Sequence, residues 1–215
     1  MAFAAKRADD RKAWLDNYEP DVNIDHSLDS LRYKEFIDRE LIHFSIANNQ
    51  RAIPSMCDGL KPGKRKILYS CFKRKLKNDI KVAQLSGYIS EHSAYHHGEV
   101  SLQGTIVGMA QDYVGSNNIN LLLPKGQFGS RNAGGKDAAS ARYIYTTLSK
   151  VTRAIFPEPD DHLYTYIIDE GQMIEPEFYL PIIPMVLVNG TAGIGTGWST
   201  KVPCYNPREI VDAIR

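Results

Sequence analysis

Residues 119–148 read INLLLPKGQFGSRNAGGKDAASARYIYTTL. The apolar residues 119–123 predict a strand, and a second strand-like run begins near Arg142-Tyr143-Ile144-Tyr145. Between them lies a glycine-rich, basic excursion, KGQFGSRNAGGKD. Upstream, Pro62 suits the first turn of a helix reaching about Leu76, with Ile67, Leu68, Cys71, Phe72 and Leu76 on one face. Asn78-Asp79 precedes a short helix carrying Val82, Leu85, Tyr88 and Ile89. Gly98 then opens another with Val100, Leu102, Ile106, Val107, Met109, Ala110 and Val114. Helices, a strand, a long basic loop and a returning strand describe a winged helix-turn-helix, in which one helix enters the major groove and the wing grips the backbone.

On the N-terminal side, residues 1–18 predict a charged helix, followed by a polar connector through Ser30. Tyr33, Phe36, Ile37, Leu41 and Phe44 recur at helical spacing, with Asn48-Asn49 expected to end that helix and RAIPSMCDG (51–59) to form an extended turn. On the C-terminal side, a helix is expected from Thr146 to Phe156. A more acidic unit comes after it, with a strand at residues 185–188 and a last helix after Pro207. The class is α+β, divided as 1–32 (charged helix and connector), 33–155 (winged-helix domain) and 156–215 (a second unit).

Composition narrows the function. With 43% hydrophobic and 24% charged residues over 215 positions, the chain can bury a core, which excludes wholesale disorder. Cys57, Cys71 and Cys204 are too few and scattered for a disulfide framework or a cysteine zinc site, consistent with a reducing compartment. The N-terminus has no apolar signal core. Residues 178–200 are uncharged, but Pro181, Pro184 and four glycines interrupt them, which predicts strand and loop instead of a membrane span. The net charge of +1 hides a segregation: residues 51–153 hold 16 Lys/Arg against 6 Asp/Glu, and the remainder 10 against 19. Within residues 51–78 there are nine basic residues and one acid, Asp58. Such a run is either a solvated face or a surface for a polyanion such as DNA or RNA.

Three places invite a sharper reading. Tyr143, directly after Arg142, is either a strand aromatic beside a surface arginine or a nucleophile. A phenol ionises only near pH ~10, so attack on phosphorus needs a neighbouring cation, which could also stabilise the charge growing on phosphorus. In H-S-A-Y-H-H, His92 and His96 stand at helical spacing for a metal, but no third ligand is evident. Tyr95, His96 and His97 instead precede a helix N-terminus, where free N–H groups favour a phosphate and Ser101 could add a donor; a plain capping role is the alternative. In G-T-A-G-I-G-T-G (190–197), Ile194 either folds into the core or stands out as an apolar wedge between base pairs.

Several stretches together resemble the eukaryotic type IIA DNA topoisomerases: RAIPSMCDGLKPGKRKILY, KVAQLSGYISEHSAYHHGE, VGSNNINLLLPKGQFGSR, GGKDAASARYIYTTLS and PMVLVNGTAGIGTGWST. The likeness covers nearly the whole chain. It implies that residues 33–155 are the winged-helix cleavage domain and 156–215 the beginning of an α/β tower domain that bends DNA. It implies that Tyr143 is the nucleophile joining a DNA 5′-phosphate, Arg142 the transition-state stabiliser and His97 an aid at the scissile phosphate. Arg51, Lys61 and Arg65 would line the DNA path, Tyr95, His96 and Ser101 would contact DNA, and Ile194 would intercalate.

The resemblance also implies Mg²⁺ and ATP in the complete enzyme, a homodimer, double-stranded DNA as partner, and a nuclear location. In the family the metal is held by a glutamate and an Asp-x-Asp motif of a separate Toprim domain. This sequence contains no Asp-x-Asp. The expectation is therefore a fragment without the metal site or the ATPase region, carrying the nucleophile half of the centre, which binds DNA but does not cut it alone. A non-catalytic winged-helix binder and a purely structural module are the rival readings.

Overall fold

A computed structural model describes residues 2–215. The chain forms two compact units. One holds the residues up to Pro54 together with Ala192–Lys201; the other holds Ser55–Thr191 and Val202–Arg215. Compactness thus separates the residues up to Pro54, joined by Ala192–Lys201, from the rest of the chain.

In the first unit, helix α1 (Ala8–Asp16) starts with Asp9 and Asp10, acids suited to the positive end of a helix. Helix α2 (Tyr33–Phe36) passes through a π-helical turn (Ile37–Leu41) into α3 (Ile42–Ala52). Trp14, Leu15 and Ile42 make the small core, with Tyr18, Ile37, Leu41 and Ile46 against it. The predicted face is only half right, because Tyr33 and Phe44 are 90% and 59% exposed. The π turn accommodates an extra residue and rotates the helix beyond it, so Ile42 and Ser45 turn inward. Asn48-Asn49 does not end the helix. It stops at Ala52, where Ile53 is held extended before Pro54.

The second unit opens with α4 (Pro62–Lys73), then β1 (Ile80–Lys81), α5 (Val82–His92), α6 (Glu99–Ala110), β2 (Leu122–Lys125) and β3 (Tyr145–Leu148). The strands form one antiparallel sheet in the order β1-β3-β2, with Leu122 opposite Leu148 and Ile80 opposite Thr146. Three helices, a three-stranded sheet and a long loop between its last two strands make the winged-helix arrangement. Pro124 is tolerated because β2 is an edge strand. Leu68, Leu85, Ile89, Leu102, Ile106 and Leu122 are fully buried and knit helices to sheet. Val100 and Val114, expected on the apolar face of α6, are exposed.

The rest of this unit departs from expectation at three points. Thr146 and Thr147 are buried strand residues, and the helix α7 (Lys150–Ile155) begins only after Ser149. β-Branched threonines favour the pleated sheet over a helix. The unforeseen strands β4 (Tyr166–Asp169) and β5 (Gln172–Pro176) form a hairpin. Its two-residue turn, Glu170-Gly171, has positive φ at both positions. Residues 185–188 form a helical turn, α8 (Met185–Val188), since the Pro184 carbonyl accepts from the Leu187 and Val188 amides. The chain ends on α9 (Pro207–Ile214), capped by Asn206 with Pro207 in its first turn. No helix among the described residues is long and apolar enough to cross a membrane.

Candidate nucleic-acid interface

The basic run at the start of α4 splits into residues with different fates. Lys61 caps the helix with extended backbone. Lys64 is pushed below the ordinary lysine range by burial first and by the neighbouring Lys61 charge second. Among the described residues neither lysine has a carboxylate partner, so two cations stand together at a helix N-terminus. An anion there would meet both charges and the helix dipole.

Arg65 corrects the sequence reading. It is 5% exposed and its guanidinium is consumed inside the fold. Nε donates to Asp58 Oδ2 at 2.8 Å, while Nη2 donates to Asp58 Oδ1 at 3.1 Å and to the Leu60 carbonyl at 3.0 Å. Arg65 therefore builds the loop before α4. The signal was available in sequence: Asp58 is the one acid among nine bases, seven residues before Arg65.

The turn between α5 and α6 gathers Tyr95, His96, His97 and Ser101. The Tyr95 and His97 rings meet edge to face at 5.5 Å, and Tyr95 Oη donates to Ser101 Oγ at 3.4 Å. His96, His97 and Ser101 are exposed, and Gly98 caps α6 with φ 88°. A Cβ on Gly63 of α4 would reach the Tyr95 ring at 3.8 Å, so this turn lies against the N-terminal end of α4. His92 stands apart in role: it stacks on Tyr88 at 4.0 Å, and its Nδ1 lies 3.0 Å from the Tyr88 carbonyl.

The wing is an ordered loop. Phe128 and Ile144 are buried at its entry and exit. Gln111 Nε2 donates to the Phe128 carbonyl at 2.9 Å, and Asp137 Oδ1 accepts from the Ser130 amide at 2.7 Å. Asp137 is held below the usual carboxylate range by the hydrogen bonds from Ser130. Tyr143 does not lie in β3, as expected, but in the turn before it, its amide donating to the Ser140 carbonyl at 2.9 Å. With Ile144 anchored inward, Tyr143 is thrown out to 70% exposure. The Arg142 guanidinium sits 5.6 Å from the centre of its ring. The loop is moored to α5, since Ala83 and Val82 donate their amides to the Ala141 and Ile144 carbonyls.

The first unit carries Arg51 and Ile194. Arg51 is exposed in the last turn of α3. Ile194 ends the strand Thr191–Ile194, which pairs with Ser199–Val202. Alternation along the strand explains the glycines flanking it. A Cβ on Gly193 would strike the Ala52 carbonyl, and one on Gly195 would strike the Asn49 side chain. Between them Ile194 points away and is 83% exposed, which excludes the core reading. Asn49, expected from the sequence only to end the helix, fixes the hairpin tip: its Nδ2 donates to the Thr196 carbonyl at 3.0 Å and its Oδ1 accepts from the Thr196 amide at 2.6 Å.

Comparison with known proteins gives nearly the same division. Residues 51–215 match the DNA gyrase/topoisomerase IV family (the A subunit of these enzymes), and residues 1–49 match the C-terminal associated domain of TOPRIM. The chain is 60% identical over its whole length to DNA topoisomerase 2 of Saccharomyces cerevisiae, and likewise 60% identical to that of Arabidopsis thaliana. It spans about 15% of the length of each of these relatives. It is also similar to the solved DNA-binding, cleavage and re-ligation domain of Plasmodium falciparum topoisomerase II, with a TM-score of 0.87 and 57% identity. That match covers 100% of this chain and 29% of the other.

Proposed function

This chain belongs to the eukaryotic type II DNA topoisomerases, and from that premise we propose that it is the part of such an enzyme that grips duplex DNA and supplies the cleavage tyrosine. The observation carrying the proposal is Tyr143, exposed at the exit of the wing with the Arg142 guanidinium over its ring. In the proposed step Tyr143 Oη bonds to a backbone phosphorus as the bond from phosphorus to the 3′ oxygen breaks. The phenol proton leaves and the released 3′ oxygen takes one up. The tyrosine holds the 5′-phosphate, and the reverse attack reseals the strand without an external energy source. Arg142 stabilises the charge that grows on the phosphoryl oxygens, and His97 assists at the same phosphate.

Lys61, Tyr95, His96 and Ser101 position the backbone in this reading, Arg51 contacts a DNA phosphate, and Ile194 wedges a base step. In this reading Arg65 serves from inside the fold, holding Asp58 and the loop before α4. The complete enzyme in this reading uses Mg²⁺ and ATP. Among the described residues no group of three His, Cys, Asp or Glu side chains is gathered for an ion. The work assigned to this chain is that of its own phenol, guanidinium and imidazole. Paired cutting by a homodimer in the nucleus, with passage of a second duplex, belongs to the same proposal.

The test mixes this chain with a matching Toprim fragment, Mg²⁺ and supercoiled plasmid. Protein-linked linear DNA is expected with the wild type and none with Tyr143→Phe, whose duplex binding persists. Absence of any adduct with the Toprim fragment supplied would leave only a winged-helix DNA binder.

A further inference from the structure

Lys64, Arg65 and Lys66 are consecutive cations, and the third has a task distinct from the other two. A helix leaves its last carbonyl groups without partners of its own. At the end of α5 one of them, that of the fully buried Ser93, accepts a hydrogen bond from Lys66 Nζ on α4. A cation at this position also meets the negative end of the helix dipole. The same ammonium donates to Glu175 Oε2 on β5 at 2.9 Å, and the two side chains are only 12% and 3% exposed. The hairpin carrying Glu175 is fastened to α4 a second time, by Tyr69 Oη donating to the Met173 carbonyl at 2.9 Å.

The residues after Ser93 make this grip matter. Ala94 is left-handed, with φ 48°, a region that a residue with a Cβ enters at some cost. The next residues are Tyr95, His96 and His97, and Tyr95 is joined to Ser101 on α6. Lys66 is thus attached one residue before a strained step that aims the whole cluster, yet is itself too enclosed to meet a phosphate. We propose that Lys66 is a positioning residue: held by Glu175, it grips the Ser93 carbonyl and fixes the turn that presents Tyr95, His96 and His97, tying that presentation to the β4–β5 hairpin. The inference deepens the DNA-cleavage reading and rests on it for its ligand.

The experiment uses the 215-residue chain, a fluorescein-labelled DNA duplex and amide hydrogen exchange. Lys66→Met is expected to weaken duplex binding by about tenfold, the worth of one hydrogen bond to a charged group, while leaving the slope against salt unchanged. Amides of residues 93–98 should exchange faster. Lys61→Ala, a phosphate-contact control, should instead lower the slope by about one. Glu175→Gln keeps an acceptor but removes the counter-charge, and should loosen the same amides to a lesser degree. If Lys66→Met does not fold, Glu175→Gln decides alone. Wild-type exchange at residues 93–98 in the folded variants, or a reduced salt slope in Lys66→Met, overturns the proposal. A wild-type chain without duplex affinity would instead overturn the DNA reading, and the exchange data would still judge the grip on Ser93.

Discussion

Asp58 and Arg65 close on each other in a buried two-point ion pair, with contacts of 2.8 and 3.1 Å. The carboxylate is fully used, since it also accepts the Leu60 and Tyr179 amides at 2.9 Å each. The loop before α4 and the segment around Tyr179 are thereby pinned to the start of that helix. The pair withdraws one cation of the basic run from the surface, while Lys61 and Lys64 have no carboxylate partner among the described residues.

Arg65→Met should therefore cost about 3–5 kcal/mol of stability, because it strands a buried carboxylate. Urea denaturation measures that loss. The salt dependence of duplex binding by the fraction that remains folded should match the wild type, whereas a phosphate-contacting arginine would lower the slope by about one.

Asn49→Ala and Ile194→Ala should separate the seat of the hairpin from its tip. Losing Asn49 leaves the Thr196 amide and carbonyl unpartnered and should cost roughly 1–3 kcal/mol. Ile194→Ala should change stability by no more than about 0.5 kcal/mol, as expected for an exposed side chain. It should nonetheless reduce DNA bending and base unstacking, read by energy transfer between duplex ends and by 2-aminopurine fluorescence.

Gly129 has φ 97°, and a Cβ there would lie 2.6 Å from the Gly135 backbone. Gly129→Ala should disorder the wing and weaken duplex binding, visible as faster amide exchange across residues 126–144. Gly134→Ala is the milder comparison: φ is 59° but nothing lies within 4 Å of the added carbon. Its effect should be confined to the backbone cost of roughly 1 kcal/mol.

Burial raises the Glu175 carboxyl above its ordinary value of 4.5, against the opposing pull of the Lys66 hydrogen bond and charge. The folded state then holds more protons than the unfolded one between 4.5 and the raised value. This contribution to stability is greatest at the acid side and falls as pH rises through that window, then levels off. Glu175→Gln should flatten this segment of the stability profile, measured by denaturation at a series of pH values.

Cys71 is fully buried, and burial pushes its thiol up to about 12, while Cys57 and Cys204 are exposed. A maleimide at neutral pH should label two thiols in the native chain and the third only after unfolding, counted by intact-mass spectrometry. Native labelling of Cys71 would contradict the packing of α4.

The sequence by itself determined the winged-helix order, the buried stripe of α4, the glycine-rich wing and the position of the Arg142-Tyr143 step at its exit. These arise from local patterns: apolar spacing, Pro62 at a helix start, and glycines where the chain needs positive φ. It did not determine which of several like residues faces outward. Arg65 and Lys66 sit beside Lys64 in one basic run, and only partners at Asp58, Ser93 and Glu175 take two of them inside. Tyr33 and Phe44 fit a helical stripe, and a single π turn moved that stripe away from the core. Ile194 was ambiguous until Ala52 and Asn49 accounted for the glycines on either side. Periodicity records the backbone's own geometry, whereas a charge or a ring is turned inward or outward by groups far along the chain, and those meet only on folding.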